Sequence, residues 1–340
     1  MCMRLRSLQP LVVFTALSGL CAAAFAAALM FGARAVPPEA TWQALIAFDP
    51  ADPAQGIIRG LRLPRALTGL ACGAALATAG VIMQSLTRNP LADPGLMGVN
   101  AGAALAVVAA IWMFGPQDIA ALAVAAMAGA GIAAAAVWKL AGGREISASG
   151  ALSVRLPLAG TAISSLCLSL VAAAVLLNTE AREHYRFWIV GSLGQASADS
   201  LLTLAPVAVA GILLGLACAR GLDALALGSD LASGLGARPG LIAGAALTAV
   251  TVLSGTAVAL AGPLGFVGLI IPHAARAVGG TRMSLTLLAA LLLGAAMVLI
   301  CDTIARVAAR PSEIALGAVL ALIGGPAFMF LLSRVLGPAR

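Results

Sequence analysis

Charge is scarce in this chain: Asp, Glu, Lys and Arg make up 10% of its 340 residues, against 61% hydrophobic. A soluble domain carries about 25% charged residues, so the composition excludes one. Aromatics are also few, at 4% with a single Tyr, and the apolar runs are unbroken blocks of Ala, Leu, Val and Gly. An outer-membrane barrel would instead alternate apolar and polar residues in short segments. Lysine is nearly absent. Of the 20 basic residues 19 are Arg, and the one Lys, Lys139, follows Trp138. A P-loop needs Gly-Lys-Ser/Thr so that its lysine reaches the phosphates, so this chain holds no such nucleotide site.

Other chemistry is missing as well. The six cysteines (Cys2, Cys21, Cys72, Cys167, Cys218, Cys301) stand alone, with no C-x-x-C pair or His-Cys cluster to bind a metal or frame disulfides. There is no H-E-x-x-H, no G-x-S-x-G, and no pair of acidic residues four apart inside an apolar block. Of the two histidines, His184 falls in a predicted loop and His273 follows Pro272; both read as packing or surface residues. No catalytic residue and no metal ligand is assigned. The basic residues sit singly or in pairs between apolar blocks, which fits membrane topology rather than nucleic acid.

What is abundant is length of apolar chain. A bilayer core of about 30 Å needs roughly 20 apolar residues per helix. The blocks place candidate spans at 11–31, 64–86, 95–114, 119–139, 157–177, 200–219, 241–261, 263–279, 284–301 and 314–333, an all-α polytopic membrane protein of about ten helices in one domain, 1–340. The first block follows Arg4 and Arg6 like a secretory signal, but it is too long for one and reads as an uncleaved span. Ten spans bring both termini to one side. With that side inside, 12 of the 20 basic and 4 of the 13 acidic residues are inner, a net +8 inside and −1 outside; Arg144, Glu145 and Arg340 count among the inner ones. Arg59, Arg62 and Arg65 run against this trend on the outer side.

Small residues recur four apart at Gly69/Gly73, Gly211/Gly215 and Gly240/Gly244, the spacing that lets helices pack closely in lipid. Asn89-Pro90, Asp93-Pro94, Gly262-Pro263, Ile271-Pro272 and Gly325-Pro326 interrupt the blocks. Broken helices are tolerated in a membrane where they line a cavity or are buried in protein, which points to a transport pathway. An ion-coupled carrier usually has ionisable groups at mid-membrane. Here Asp302, Arg306, Arg310 and Glu313 gather at the outer end of the ninth span instead. The inner segment from Arg220 to Gly240, with apolar Leu222, Leu225, Ala226, Leu231 and Leu235 between glycine hinges, suits either a plain connector or short amphipathic helices that dock a partner.

The stretch from Leu61 to Ala106, LRLPRALTGLACGAALATAGVIMQSLTRNPLADPGLMGVNAGAALA, resembles the signature region of the FecCD-type permeases, the membrane subunits of type II ABC importers for ferric siderophores, haem and cobalamin. Similar matches are YRFWIVGSLG (Tyr185–Gly194), LGSDLASGLGARPG (Leu227–Gly240), LAGPLGFVGLIIPHAARAVGG (Leu260–Gly280) and CDTIARVAARPSEIALGAVLALIGGPAFMFLL (Cys301–Leu332). The resemblance implies a ten-span bundle with an inverted repeat, both termini cytoplasmic, in the inner membrane. It implies two ATP-binding subunits that use ATP and Mg, a second permease subunit, identical or paralogous, and an extracytoplasmic substrate-binding protein.

The resemblance also implies site roles. Arg62, Arg65 and Arg306 match arginines that dock the binding protein through its carboxylates. Leu225, Ala226, Leu227, Gly228, Leu231, Ala232, Leu235 and Gly236 match the segment that couples to the ATPase. Ser153 and Val154 match the inner gate, where Val154 is apolar in place of the cobalamin member's hydroxyl. Asn89, Pro90, Asp93, Pro94, Gly98 and Asn100 form a structural motif, with Asp93 or Asn100 expected as a helix cap. The wording of NPLADPGLMGVNAG and RFWIVGSLG is closest to ferric-siderophore members, with haem or cobalamin import as the alternative and an ion-coupled carrier behind both.

Overall fold

The computed structural model describes residues 2–115, 117–143 and 152–336; Arg144, Glu145 and Arg340 of the charge count lie outside them. Among the described residues every regular element is helical. In chain order these are α1 (Cys2–Met30), α2 (Pro38–Ile46), α3 (Pro53–Ile57), α4 (Leu63–Thr87), α5 (Val99–Phe114), α6 (Ile119–Leu140) and α7 (Leu152–Leu177). The second half adds α8 (Thr179–Trp188), α9 (Ala198–Ala226), α10 (Ser229–Gly234), α11 (Pro239–Ala261), α12 (Val267–Gly279), α13 (Met283–Val307) and α14 (Leu316–Leu336). Among the described residues seven helical stretches are long and apolar enough to cross a membrane, and three shorter apolar helices, Val99–Phe114, Val267–Gly279 and Leu316–Phe330, stand where further spans were expected.

Side-chain caps start several of these helices. Asp118 accepts from Ala121 N, Asn178 from Ala181 N and Ser197 from Ser200 N, ahead of α6, α8 and α9. Each supplies an acceptor to an amide that the helix itself leaves unpaired.

The bundle is built around α4. In the most apolar 18 residues of Pro53–Thr87, 83% are buried, whereas in those of Leu11–Met30 only 17% are, and that helix lies against the outside. Helices α9, α11, α12 and α13 surround α4, while α5 and α6 pair beside α11 and carry α7 on their far side. Close approach is set by glycine. A Cβ on Gly73 would lie 2.2 Å from Gly294 O, and one on Gly294 would lie 2.3 Å from Gly73 O, so α4 and α13 touch backbone to backbone.

Several expected boundaries move. The second span extends back to Pro53, because α3 and α4 join through a π-turn, Ile58–Arg62, closed by Leu63 N donating to Ile58 O. Pro64 has no N–H to offer the carbonyl four residues back, which favours the wider turn. The third span starts as a short 3-10 turn, Pro94–Met97, and becomes α-helical only after Gly98, whose φ is 69°. The eighth begins at Val267 rather than 263, because Gly262 (φ 71°) and Phe266 (φ 68°) hold the backbone in left-handed conformations. Pro272 and Pro326 do not interrupt: both sit inside continuous helices. His184 lies on α8, not in a loop.

Replacing Gly73 by Val is expected to wedge α4 from α13 and destabilise the bundle by about 1–3 kcal/mol or more. At Gly19 an added Cβ would meet nothing within 4 Å, so that position should accept Val freely; thermal midpoints of the two purified variants in detergent check the contrast.

Candidate functional site

At the end of the bundle where α1 finishes and α4 begins, the three arginines expected to dock a partner turn inward. Arg62 and Arg306 are 5% and 3% exposed. Arg62 donates from Nη1 to Leu29 O at 2.7 Å and Met30 O at 2.8 Å, and from Nη2 to Arg34 O. Arg306 donates from Nη1 to Ala28 O at 3.1 Å. Those of Ala28, Leu29 and Met30 are the last carbonyls of α1, which have no intrahelical amide to accept from. Two guanidinium groups thus cap the negative end of that helix.

Arg65 completes a charged cage. Its Nη2 lies 2.9 Å from Asp302 Oδ1 and its Nη1 2.7 Å from Glu313 Oε2, while Arg306 Nε reaches Asp302 Oδ2 at 2.9 Å. Asp302 is 1% exposed, so its charge is held by two guanidinium groups rather than by water. These side chains are occupied within the chain, because buried carbonyls and a buried carboxylate need donors more than the surface does. Sequence reading saw the arginines but missed Asp302 as their partner. Its spacing of four from Arg306 was the available signal.

The cage still borders open space. A cavity of about 370 Å³ is lined by Arg34, Arg62, Arg65, Arg306 and Glu313 together with Leu61 and Leu193. The cationic residues lie in its wall and Glu313 is the half-exposed anion among them. Beyond it, Arg59 stacks over Phe48 at 4.7 Å and is exposed.

Three of the sequence motifs converge nearby. Ser192 N donates to Ala261 O at 2.8 Å and Gly317 N to Gly191 O at 3.0 Å, which ties the chain after α8 to the ends of α11 and α14. Gly191 (φ 69°) is needed there, since a Cβ would meet Pro263 O at 2.5 Å. Phe187, Trp188, Gln195, Leu260 and Ile314 then line an apolar cavity of about 280 Å³.

At the opposite end, the 220–240 segment differs from expectation. Leu225 and Ala226 belong to α9, which runs seven residues past Ala219, so only α10 is a separate short helix. Gly228 (φ 118°) and Gly236 (φ 81°) turn the chain on either side of it. Ala232 is buried, but Leu227, Leu231 and Leu235 are 61%, 64% and 71% exposed. Leu231 lies on α10, and Leu227 and Leu235 stand just before and just after it. The end of α9 that leads to them is fixed: Arg88 Nη2 donates to Leu225 O at 2.6 Å and Met283 N to Asp223 Oδ1 at 3.1 Å.

The NPLADPG motif lies beside this end. Asp93 Oδ1 accepts from Gly95 N at 2.7 Å and caps the 3-10 turn, the role for which Asn100 was the other candidate. Burial pushes the Asp93 carboxyl above its usual range, partly offset by the Gly95 amide. Asn89 Oδ1 accepts from Leu91 N, and Pro90, Pro94 and Gly98 turn the backbone between α4 and α5. Ser153 and Val154 occupy the first turn of α7, Ser153 half-buried and Val154 63% exposed. His273 Nδ1 meets Leu269 O at 3.1 Å within α12. Among the described residues no group of His, Cys, Asp and Glu is arranged to hold a metal.

The profile of the FecCD transport family matches residues 20–334. A ferric enterobactin transport system permease protein of Escherichia coli (strain K12) is 40% identical over 314 residues, which is 92% of this chain and 92% of that protein. A probable siderophore transport system permease protein of Bacillus subtilis (strain 168) is 35% identical, covering 95% and 94%. A hemin transport system permease protein of Yersinia pestis is 39% identical, covering 81% of this chain and 82% of its own length. Among solved structures, a chain described as a metal-chelate type ABC transporter in an inward-facing conformation superposes with a TM-score of 0.81 at 28% identity, covering 95% of this chain and 99% of that one.

Removing one member of the charged cage should leave buried charge unmatched. Asp302→Asn is expected to cost about 3–5 kcal/mol, and Asp302→Asn combined with Arg65→Gln less than the sum of the two single changes. Thermal midpoints across that double-mutant cycle check it.

Proposed function

We propose, since the chain belongs to the FecCD transport family, that it is the transmembrane permease subunit of a binding-protein-dependent ABC importer, carrying a ferric-siderophore complex into the cytoplasm. The observation that carries this reading is the exposed set Leu227, Leu231 and Leu235, on and beside the short helix α10, next to the end of α9 where Leu225 and Asp223 are held. Exposed leucines mounted beside a fixed helix end at the rim of a membrane protein suit a groove on a partner. The partner is a pair of ATP-binding subunits. They use ATP and Mg, and this chain binds neither.

Ten helices cross the inner membrane, the three shorter ones included, with both termini and the 220–240 segment in the cytoplasm. The orientation rests on the positive-inside count. Ser153 and Val154 are assigned to the inner gate, and a second permease subunit covers the exposed leucines of α7. The docking face for the binding protein is the 370 Å³ cavity. There, Arg62 and Arg306 hold the wall in shape, and an incoming carboxylate displaces Glu313 from Arg65. Fork-shaped guanidinium-carboxylate pairing gives such docking its register.

Ferric siderophore is favoured over haem by the wording of the NPLADPG and RFWIVGSLG motifs, and the relatives named for enterobactin and for siderophores support it. The hemin-named relative keeps haem as the second reading. Proteoliposomes of the whole importer, with its binding protein loaded with a ferric chelate or with haem, separate the two by which cargo accumulates on ATP.

Changing Leu227, Leu231 and Leu235 together to Asp is expected to abolish co-purification of the ATPase and lower uptake at least tenfold, a loss of about 1.4 kcal/mol or more. Binding-protein docking should be unchanged. Retained ATPase would overturn the coupling assignment. Glu313→Gln, which frees one arm of Arg65, is expected to strengthen binding-protein docking; Arg65→Glu is expected to weaken it more than roughly tenfold, read as the dissociation constant on the reconstituted complex.

A further inference from the structure

Helices α6 and α11 pack against each other along much of their length, then part at the end where α6 finishes and α11 starts. Between them lies an open groove of about 570 Å³, within the range of about 300–1,000 Å³ typical of small-molecule sites. Gly131, Ala135 and Trp138 form one wall, Gly244, Thr248 and Thr251 the other. The hydroxyls in that wall are already used. Thr248 Oγ1 donates to Gly244 O and Thr251 Oγ1 to Leu247 O, both at 2.9 Å, so the surface offered to an occupant is apolar.

Two glycines there have no packing reason. Glycine weakens a helix interior relative to alanine, and at several places in the bundle close contact requires it. Gly102 and Gly129, for example, would each drive a Cβ to within 2.5 Å of the other's carbonyl oxygen. Gly131 and Gly244 differ: a Cβ at either meets nothing within 4 Å, and both stand in regular helix. What their missing side chains provide is the width of the groove.

The mouth is basic. Gly131, Ala135 and Lys139 follow one another at four-residue steps on one face of α6, so the exposed Lys139 stands one turn beyond the lining. Arg238, also exposed, immediately precedes the first turn of α11. The side chains of Lys139 and Arg238 form no ion pair or hydrogen bond with the described residues.

We propose that this groove holds an acyl chain of an anionic phospholipid whose headgroup phosphate rests on Lys139 and Arg238. An apolar slot between two membrane helices accepts a hydrocarbon chain, and unpaired cations at its rim select a phosphate. A second copy of this chain packed here about a two-fold axis would bring the same two cations to the mouth, whereas a phosphate neutralises them. The inference rests on reading the chain as a membrane protein, and it is measured without transport, so failure of the importer reading and failure of the lipid site are separate results.

The test uses the full chain in nanodiscs of equal phosphatidylglycerol and phosphatidylcholine, extracted in mild detergent and weighed by native mass spectrometry. One phosphatidylglycerol per chain should be retained, preferred over phosphatidylcholine by roughly 30-fold, two surface cations each contributing about fivefold. Lys139→Gln with Arg238→Gln should bring the two lipids to parity. Gly244→Leu, whose side chain enters open space, should reduce retention of both, and Gly131→Leu provides the same reading by an independent route. The proposal is overturned if the charge-neutral variant keeps its phosphatidylglycerol preference or if both leucine variants retain lipid like the wild type. It is also overturned if Gly244→Leu splits a dimer of the chain, which would give the groove to a second copy.

Discussion

In a bilayer, a backbone carbonyl without a partner has no water to turn to, and that constraint decides where charge sits in this protein. The end of α1 leaves carbonyls at Ala28, Leu29 and Met30, and the donors that reach them are Arg62 and Arg306. A lysine offers three donors around one point, whereas a guanidinium offers five in a fixed plane and can bridge two carbonyls at once, as Arg62 does. A chain with 19 Arg and one Lys is in keeping with that use. The same logic recurs at α12. Pro272 gives no amide to Gly268 O, and the buried Gln84 places its Nε2 3.5 Å from that oxygen and 3.2 Å from Leu269 O.

Meeting this constraint concentrates polarity in a few helix ends and leaves the interior to small residues. Helices in lipid gain little from excluding one another from their surroundings, so contact area and close approach must hold them. That is the reason α4, α5, α6 and α13 meet at glycine pairs. Gly131 and Gly244 make no such contact, and neither do Gly19 and Gly325.

The helical class and the rough position of each apolar block were legible because hydropathy reads burial in lipid directly. Boundaries failed where something other than hydropathy set them. The second span lengthened through a π-turn at Pro64, the eighth shortened behind two left-handed residues, and α9 overran its block because Gly221, Leu222 and Leu225 still pack on the bundle. Pro272 and Pro326 misled in the other direction, since both stand inside continuous helices; at Pro272, Gln84 lies against the carbonyl it leaves free. The arginines were visible as a cluster, but their direction was not. Whether a cation faces out or in depends on acceptors from other helices, here Asp302 and the end of α1, which no local pattern reveals.

The two ends of the molecule that carry its polar chemistry are joined by one element. Helix α4 has Arg62 and Arg65 at its start and Arg88 just past its end, and 25 residues at 1.5 Å rise give it a length of about 37 Å. Its first turn is tied to α13 and α14's approach through Asp302 and Glu313; its last turn holds Leu225 O and through it the end of α9 that leads to the exposed leucines. Between those ties α4 is almost wholly buried, with glycines against α13 and α12 that leave no slack for sliding without breaking backbone contacts. A rod held this way resists bending. Displacement at one end therefore has to move α4 with its neighbours as a body, or break Arg65 from its carboxylates. Arg65–Glu313 is the pair with a half-exposed member, and so the tie that yields first.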